Sequence, residues 1–315
     1  MNTKKVVSIL IGIMLISFGI GFLTLYLSGN KPDTIFSIKH NSWGFTRRKN
    51  SGNYKKIDEK RTANINGINK IDIEASIADI NIVSEDRENI SLYYYGDIST
   101  HINTNLETKT IGDKLIIEAK TKNLKSNFNS TNIDLHLDII IPSTYTDNLN
   151  IKSDLGSIHI EDLELNKLYV MGELGNINIK NTYVVELDAS SSLGKISIED
   201  VYSKENKLVT DLGSISVKNV TGDLEVKTDL GRIELEYHEL SSNINAKSNS
   251  GNIEIILPKK SNFTLDANTG LGSIDTNFPL DTMEKSNTKV TGKVGSGANG
   301  ITLSVDLGSI SIKGK

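Results

Sequence analysis

Carboxylates recur in this sequence at an interval that could support acid–base chemistry. Asp154, Glu173, Asp211, Asp229 and Asp306 each stand two residues before a glycine, and Ser192, Asn249 and Gly270 hold the same place in the intervening copies. If successive copies stack, Asp211 and Asp229 come to about 5 Å from each other, near the spacing of the paired carboxylates of retaining glycosidases. A catalytic pair has no reason to recur, however, and Asp154 with Glu173 repeats the arrangement. Aspartate is also a good corner residue, because its side chain hydrogen-bonds its own backbone. The series therefore reads as structural corners, ahead of a cation site or catalysis, and the glycine-aspartate nonapeptide of calcium-binding β-helices is absent.

The other reactive types assemble no site. His40, His101, His136, His159 and His238 share no motif, and no pair has metal-ligand spacing. No Gly-x-Ser-x-Gly elbow or phosphate-binding glycine loop occurs, and Gly295-Ser296-Gly297 reads as a flexible turn. With no cysteine there is no disulfide, thiol nucleophile, Cys-ligated zinc or lipidated cysteine. No catalytic residue, cofactor or metal site is assigned. The candidate ligand residues are Tyr183 and Tyr202, each eight residues after a glycine and expected to stack on neighbouring coils. Exposed, they could platform a sugar; side by side they are an ordinary ladder pair. Tyr93-Tyr94-Tyr95 is a similar case, with one ring inward and two outward.

The glycines that order these residues are Gly156, Gly175, Gly194, Gly213, Gly231, Gly251, Gly272 and Gly308, separated by 19, 19, 19, 18, 20, 21 and 36 residues. A period near 19 marks a repeat architecture. Ile158, Ile177, Ile196, Ile215, Ile233, Ile253, Ile274 and Ile310 follow the glycines by two, and Leu149, Leu168, Leu187, Leu224, Ile244, Leu265 and Ile301 precede them by seven. Alternation with β-branched residues on both sides predicts two short strands per repeat. So short a repeat has no room for a crossover helix, so the expected fold is all-β: a parallel β-helix of about 19-residue coils. In the recurring Asp-Leu-Gly-Ser-Ile the Leu and Ile are expected to face the core. Ser153, Gly172, Ser191, Thr210, Thr228, Ser248 and Thr269 supply the small residue that a narrow core needs at the turn.

A first coil is expected from Thr62, with Ala78 in the glycine's place, followed by longer strands at 90–94, 114–120 and 133–141 and a hairpin turn at Gly112-Asp113, together an irregular cap or wider coil. Pro142 and Pro258 each lie 14 residues before a corner glycine, which suggests a duplication. Lys313 and Lys315, on a coil expected at the end of the stack, would discourage edge-to-edge growth; a monomer outside the membrane is expected.

Before the repeat, Lys4 and Lys5 precede an uncharged run from Val6 to Leu27, about 33 Å long as a helix and enough to cross a bilayer. The expected organisation is a cytoplasmic tail at 1–5, a transmembrane helix at 6–27, a linker at 28–61 and an extracytoplasmic β-helix at 62–315, on the positive-inside rule. Cleavage near Ser17-Phe18-Gly19 is the competing reading, weakened because that triplet lies within the apolar run. Arg47-Arg48-Lys49, with Trp43 and Phe45 just before it, reads as a solvated spacer rather than a surface-binding segment. A formal charge of -4 without long charge blocks argues against nucleic-acid binding.

The Ile/Leu-Pro steps, the "SDLGSI" coils and the ending Gly292-Lys-Val-Gly-Ser-Gly297 resemble the adhesin-type domain of bacterial envelope proteins, including LiaG-like membrane proteins of Firmicutes stress operons. The resemblance spans 62–315 and implies an extracytoplasmic β-helix behind one membrane helix, without assigning catalytic residues. The expected function is a non-catalytic, adhesin-like binding or scaffold protein of the cell envelope, linked to an envelope-stress response and contacting a cell-wall polymer or envelope protein. The rivals are a polysaccharide-active β-helix lyase or hydrolase and a regulatory partner of a membrane sensor.

Overall fold

A computed structural model describes residues 54–122 and 133–315. The expected tail, membrane helix and most of the linker lie outside the described residues. Within them the chain is all-β, and the described residues form one compact unit.

Parallel coils carry the fold as the alternation predicts, each with one strand before the corner and one after it. The first coil is β2 (Lys70–Ile77) and β3 (Asp79–Glu85). Its entry strand β1 (Tyr54–Asn64) pairs antiparallel with β4 (Asn89–Ser99), and β5 (Asn103–Ile111) forms the expected hairpin with β6 (Lys114–Lys122) through Gly112. β1 begins inside the stretch read as linker. Of its eleven residues only Ile57 is buried, so a strand held by ladder hydrogen bonds leaves little apolar signature. β7 (Ile133–Pro142) leads into the regular coils: β8 (Asn148–Leu155) and β9 (Ile158–Glu161), then β10 (Glu164–Leu174). β11 (Ile177–Leu193) runs through two coils; β12 (Ile196–Tyr202), β13 (Glu205–Leu212), β14 (Ile215–Val220), β15 (Asp223–Leu230) and β16 (Ile233–Glu236) continue the stack. The last elements are β17 (Ile244–Ser250), β18 (Ile253–Leu257), β19 (Phe263–Leu271), β20 (Ile274–Thr276), the hairpin β21 (Asp281–Lys285) and β22 (Lys289–Val294), then β23 (Asn299–Leu307) and β24 (Ile310–Gly314).

The spatial order departs from the chain order at both ends. β23 lies between β17 and β19, and β24 between β18 and β20, so the final coil is an interior rung. This corrects the expectation that Lys313 and Lys315 guard an end: they pair with Glu254 and Glu236, both at 2.6 Å. Likewise β2/β3 lies between β6/β7 and β8/β9. Each proline marks the place where the chain steps over a rung. Beyond Pro142, the Ser143 N–H reaches Glu85 O at the end of the skipped coil (2.9 Å); beyond Pro258, Lys259 N–H reaches Lys315 O (3.2 Å). Antiparallel β4 and β5 cover one end, and β22 covers β19 at the other, where β20 stays a short three-residue edge; this blunts the strand edges that a solenoid would otherwise expose.

Inside, the isoleucines after each glycine stack as a buried row, and Leu149, Leu168, Leu187, Leu224, Ile244 and Ile301 form a second. The corner glycines stack so closely that a Cβ on Gly194 would lie 1.9 Å from the Gly175 carbonyl oxygen. The small hydroxyl residues do more than save space: Thr210, Thr228, Ser248 and Thr269 donate to the carbonyls of Gly194, Gly213, Gly231 and Gly308 (2.7–3.4 Å). A second corner, not foreseen, is made by Asp162, Asn181, Asp200 and Asn219, all left-handed at φ 47–59°. Asn and Asp tolerate that conformation best after glycine.

The leucine expectation fails. Leu174, Leu193, Leu212, Leu230, Leu271 and Leu307 are 43–70 % exposed, because the chain bends at the corner and turns two consecutive residues outward.

Gly194→Ala should cost about 3 kcal/mol in chemical denaturation, since the clash is with backbone. Deleting residues 299–315 should abolish the single cooperative unfolding transition followed by circular dichroism, whereas loss of an end rung would only lower it.

Candidate binding face

The strands after the corner, extended at the amino-terminal end by the cap strands β7, β4 and β1, form one outer face of twelve members, running β1, β4, β7, β3, β9, β11, β12, β14, β16, β18, β24 and β20. Strand alternation aims one outward residue per rung into a single row. From the amino-terminal cap this row reads Lys60, Tyr93, Asp138, Asn81, His159, Asn178, Ser197, Ser216, Glu234, Glu254, Ser311 and Asp275.

Its cap end is aromatic. Tyr94 is buried, with its hydroxyl on Thr104 Oγ1 (2.5 Å), while Tyr93 and Tyr95 face outward as expected. Their ring centroids lie 4.3 Å apart at 20°, and His136, directly across from Tyr95, stacks on it at 5.2 Å and 26°. The Lys60 ammonium covers Tyr93 at 4.6 Å from the ring centroid, a cation–π contact. Partial burial raises the Tyr93 phenol, with Asp58 adding to it, and raises Tyr95 with Asp138 adding. His136 Nε2 donates to Asp134 Oδ1 at 3.1 Å.

Planar polar groups follow. Asn81 Nδ2 donates to Asp138 Oδ1 (2.7 Å), and Asn178 Nδ2 donates to His159 Nδ1 (3.2 Å). These bonds hold the planes in line and leave the remaining donors and acceptors to solvent. The row beside them alternates in charge as Glu161, Lys180, Glu199, Lys218 and Glu236, with Lys218 on Glu199 at 2.6 Å. The short Ser216 and the taller Lys218, Glu234, Glu236 and Glu254 border a depression of about 270 Å³. Such a surface offers hydrogen bonds in a line.

The candidates from sequence lie elsewhere. Tyr183 and Tyr202 stack on adjacent coils with centroids 4.8 Å apart at 13°, 56 % and 39 % exposed, so they are both a ladder pair and accessible. They follow the second corner and do not join the row that Tyr93 opens. Asp211 and Asp229 stand on adjacent rungs at the first corner, and Asn249 Nδ2 donates to Asp229 Oδ1 (2.8 Å). The strands before the corner carry a shallow acidic trough of about 570 Å³ over Glu186, Asp188, Glu205, Asp223 and Glu225, where partial burial raises the Asp188 carboxyl. Among the described residues no group of three or more His, Asp or Glu is placed to hold a metal ion.

Sequence reasoning missed the aromatic cap. Asp134, His136 and Asp138 are the outward members of the predicted strand at 133–141, so their common side was readable. Their meeting with Tyr93 and Tyr95 depends on an antiparallel pairing outside the 19-residue period, and Lys60 and Asp58 come from the stretch read as linker.

A family model described as Toastrack DUF4097 matches residues 68–313. Among solved structures, the chain is similar to a candidate adhesin from Bacteroides fragilis (16 % identity, TM-score 0.47, covering 82 % of this chain and 97 % of that one). It is similar to another from Parabacteroides distasonis (12 %, TM-score 0.41, 83 % and 97 %) and to a candidate cell adhesion protein from Clostridium sporogenes (15 %, TM-score 0.32, 83 % and 100 %). No curated protein matches the chain.

Asp138→Asn should lower the Tyr95 phenol toward the ordinary 10.0, because it removes a nearby negative charge that opposes tyrosinate formation. Tyrosine-labelled NMR titration reads the shift.

Proposed function

We propose that this chain, which belongs to the Toastrack DUF4097 family, is an adhesin-like binding and scaffold protein of the cell envelope. The observation that carries this reading is the unbroken outward row from Lys60 to Asp275, in which one polar side chain, amide, imidazole, carboxylate and hydroxyl groups among them, stands on each rung at about 4.8 Å. A linear, hydroxyl- or amide-rich polymer presents its own groups at a comparable repeat, so many weak hydrogen bonds add along one face. The Val6–Leu27 run would anchor the chain by a single pass, with its amino terminus cytoplasmic and its bulk extracytoplasmic. A link to envelope stress belongs to this reading through the resemblance alone, and swapping the apolar run for an unrelated anchor distinguishes it from a regulatory partner that works through that helix.

One observation favours the rival enzyme. His136, oriented by Asp134 beside Tyr95 and Asp138, is a non-repeating cluster of the kind a polysaccharide lyase needs. Against that role, the imidazole is stacked face-on against the Tyr95 ring, with centroids 5.2 Å apart at 26°, and its Nε2 is already engaged by Asp134.

Co-sedimentation of the full chain in detergent with isolated cell walls should weaken about tenfold on Asn81→Ala combined with Asn178→Ala, and remain unchanged for Lys227→Ala on the face before the corner. Equal binding by all forms overturns the reading. Polysaccharide cleavage that disappears with His136→Ala replaces it with the enzyme.

A further inference from the structure

Beside every corner glycine except Gly251, which follows Ser250, stands a leucine with no place in the core. In space the row reads Leu155, Leu174, Leu193, Leu212, Leu230, Ser250, Leu307 and Leu271, one residue per rung over about 34 Å. Stacking on neighbours hides part of each side chain, yet six of them remain 43–70 % exposed. The ridge leaves on the order of 500 Å² of leucine surface in water, at the upper end of what a soluble monomer tolerates.

We propose that this ridge is a self-association surface that takes a second copy of the chain, with the two coil axes parallel. Three properties select that occupant. The first is repeat length. A second ridge has the same rung spacing and stays in register throughout, whereas an α-helix, with a pitch of about 5.4 Å, drifts by more than half an ångström per rung.

The second is shape. Next to the leucine row runs the row of corner glycines, which lack side chains and are themselves partly exposed. A two-fold axis parallel to the ridges sets each leucine row over the glycine row of the second copy, knobs over a furrow. An antiparallel pair sets leucine on leucine.

The third is charge. The leucines are flanked on one side by Asp154, Glu173, Asp211, Asp229 and Asp306, and beyond the glycines by Ser157, Asn176, Lys195, Ser214 and Arg232. The parallel arrangement sets Asp229 against Arg232, whose guanidinium also reaches Glu234 at 2.8 Å, places Lys195 one rung from both Glu173 and Asp211, and leaves the other acids facing uncharged Ser and Asn. The antiparallel one stacks acid on acid, which is unfavourable. The acidic flank also disfavours docking on an anionic lipid surface. The leucine area alone falls short of the roughly 800 Å² per partner of a standard interface, so the flanking rows contribute and the association depends on concentration. The expectation of a monomer rested on Lys313 and Lys315 at an end rung, and both belong to an interior one.

The chain has no cysteine, so one substituted residue is its only thiol. Leu174→Cys, Leu212→Cys and Leu307→Cys, each made in the full chain and oxidised in native membranes, should all give disulfide-linked dimer at least fivefold above Lys227→Cys on the face before the corner. The parallel axis sets every rung opposite its own counterpart, so the upper, middle and lower positions link alike. Leu193→Glu combined with Leu230→Glu should lower the Leu212→Cys dimer at least fivefold. Crosslinking at Leu212→Cys alone means an antiparallel pair and overturns the proposal; so does crosslinking no stronger than the Lys227→Cys control, or insensitive to the glutamates.

Discussion

One contact governs the rest of this molecule: the approach of each corner glycine to the glycine of the next rung. A Cβ on Gly175, Gly194, Gly231 or Gly251 would lie 1.8–2.3 Å from the neighbouring glycine carbonyl, so no side chain fits there. The chain can therefore turn within three residues, and coils of about 19 residues can stack at strand spacing. The same tightness explains the residues around the corner. A hydroxyl three positions earlier satisfies a carbonyl otherwise buried at the turn, and the bend faces aspartate and leucine outward before isoleucine returns to the core.

The ends obey a different constraint. A solenoid has two open ends; here antiparallel β4 and β5 cover both strands of one end rung, and β22 covers β19 at the other, leaving the three-residue β20 as a short edge. Closing them requires the chain to go out to the end and come back, and the returning or departing segment occupies the rung just inside. Pro142 and Pro258 sit where the chain skips that rung, which explains why the two Ile/Leu-Pro steps look alike without any need for duplicated function.

The repeating half of the fold was legible because a buried row of β-branched residues leaves a fixed-period trace, and the glycine marks its phase. The all-β parallel coil, the hairpin at Gly112-Asp113, the inward Tyr94 and the outward Tyr93 and Tyr95 all follow from alternation. Alternation says which way a residue points and nothing about its neighbours two rungs away. The placement of β23/β24 inside the stack was invisible for that reason, as was the meeting of Lys60, Tyr93, Tyr95 and His136 across β1, β4 and β7. Leucine misled in another way: its apolarity says core, while its position beside a backbone bend says surface.

The interior position of the last coil bears on how the protein is made. Synthesis delivers β19 and β20 before β23 and β24 exist, so the growing chain holds a stack with a vacant slot between β18 and β20, or a provisional pairing that must be opened. The first coil meets the mirror-image problem, since its outer neighbours β6 and β7 emerge after it. Both ends thus carry long-range pairings that slow folding. The stack cannot close until β23 and β24 have emerged, which makes the arrival of that one rung the condition for a finished fold.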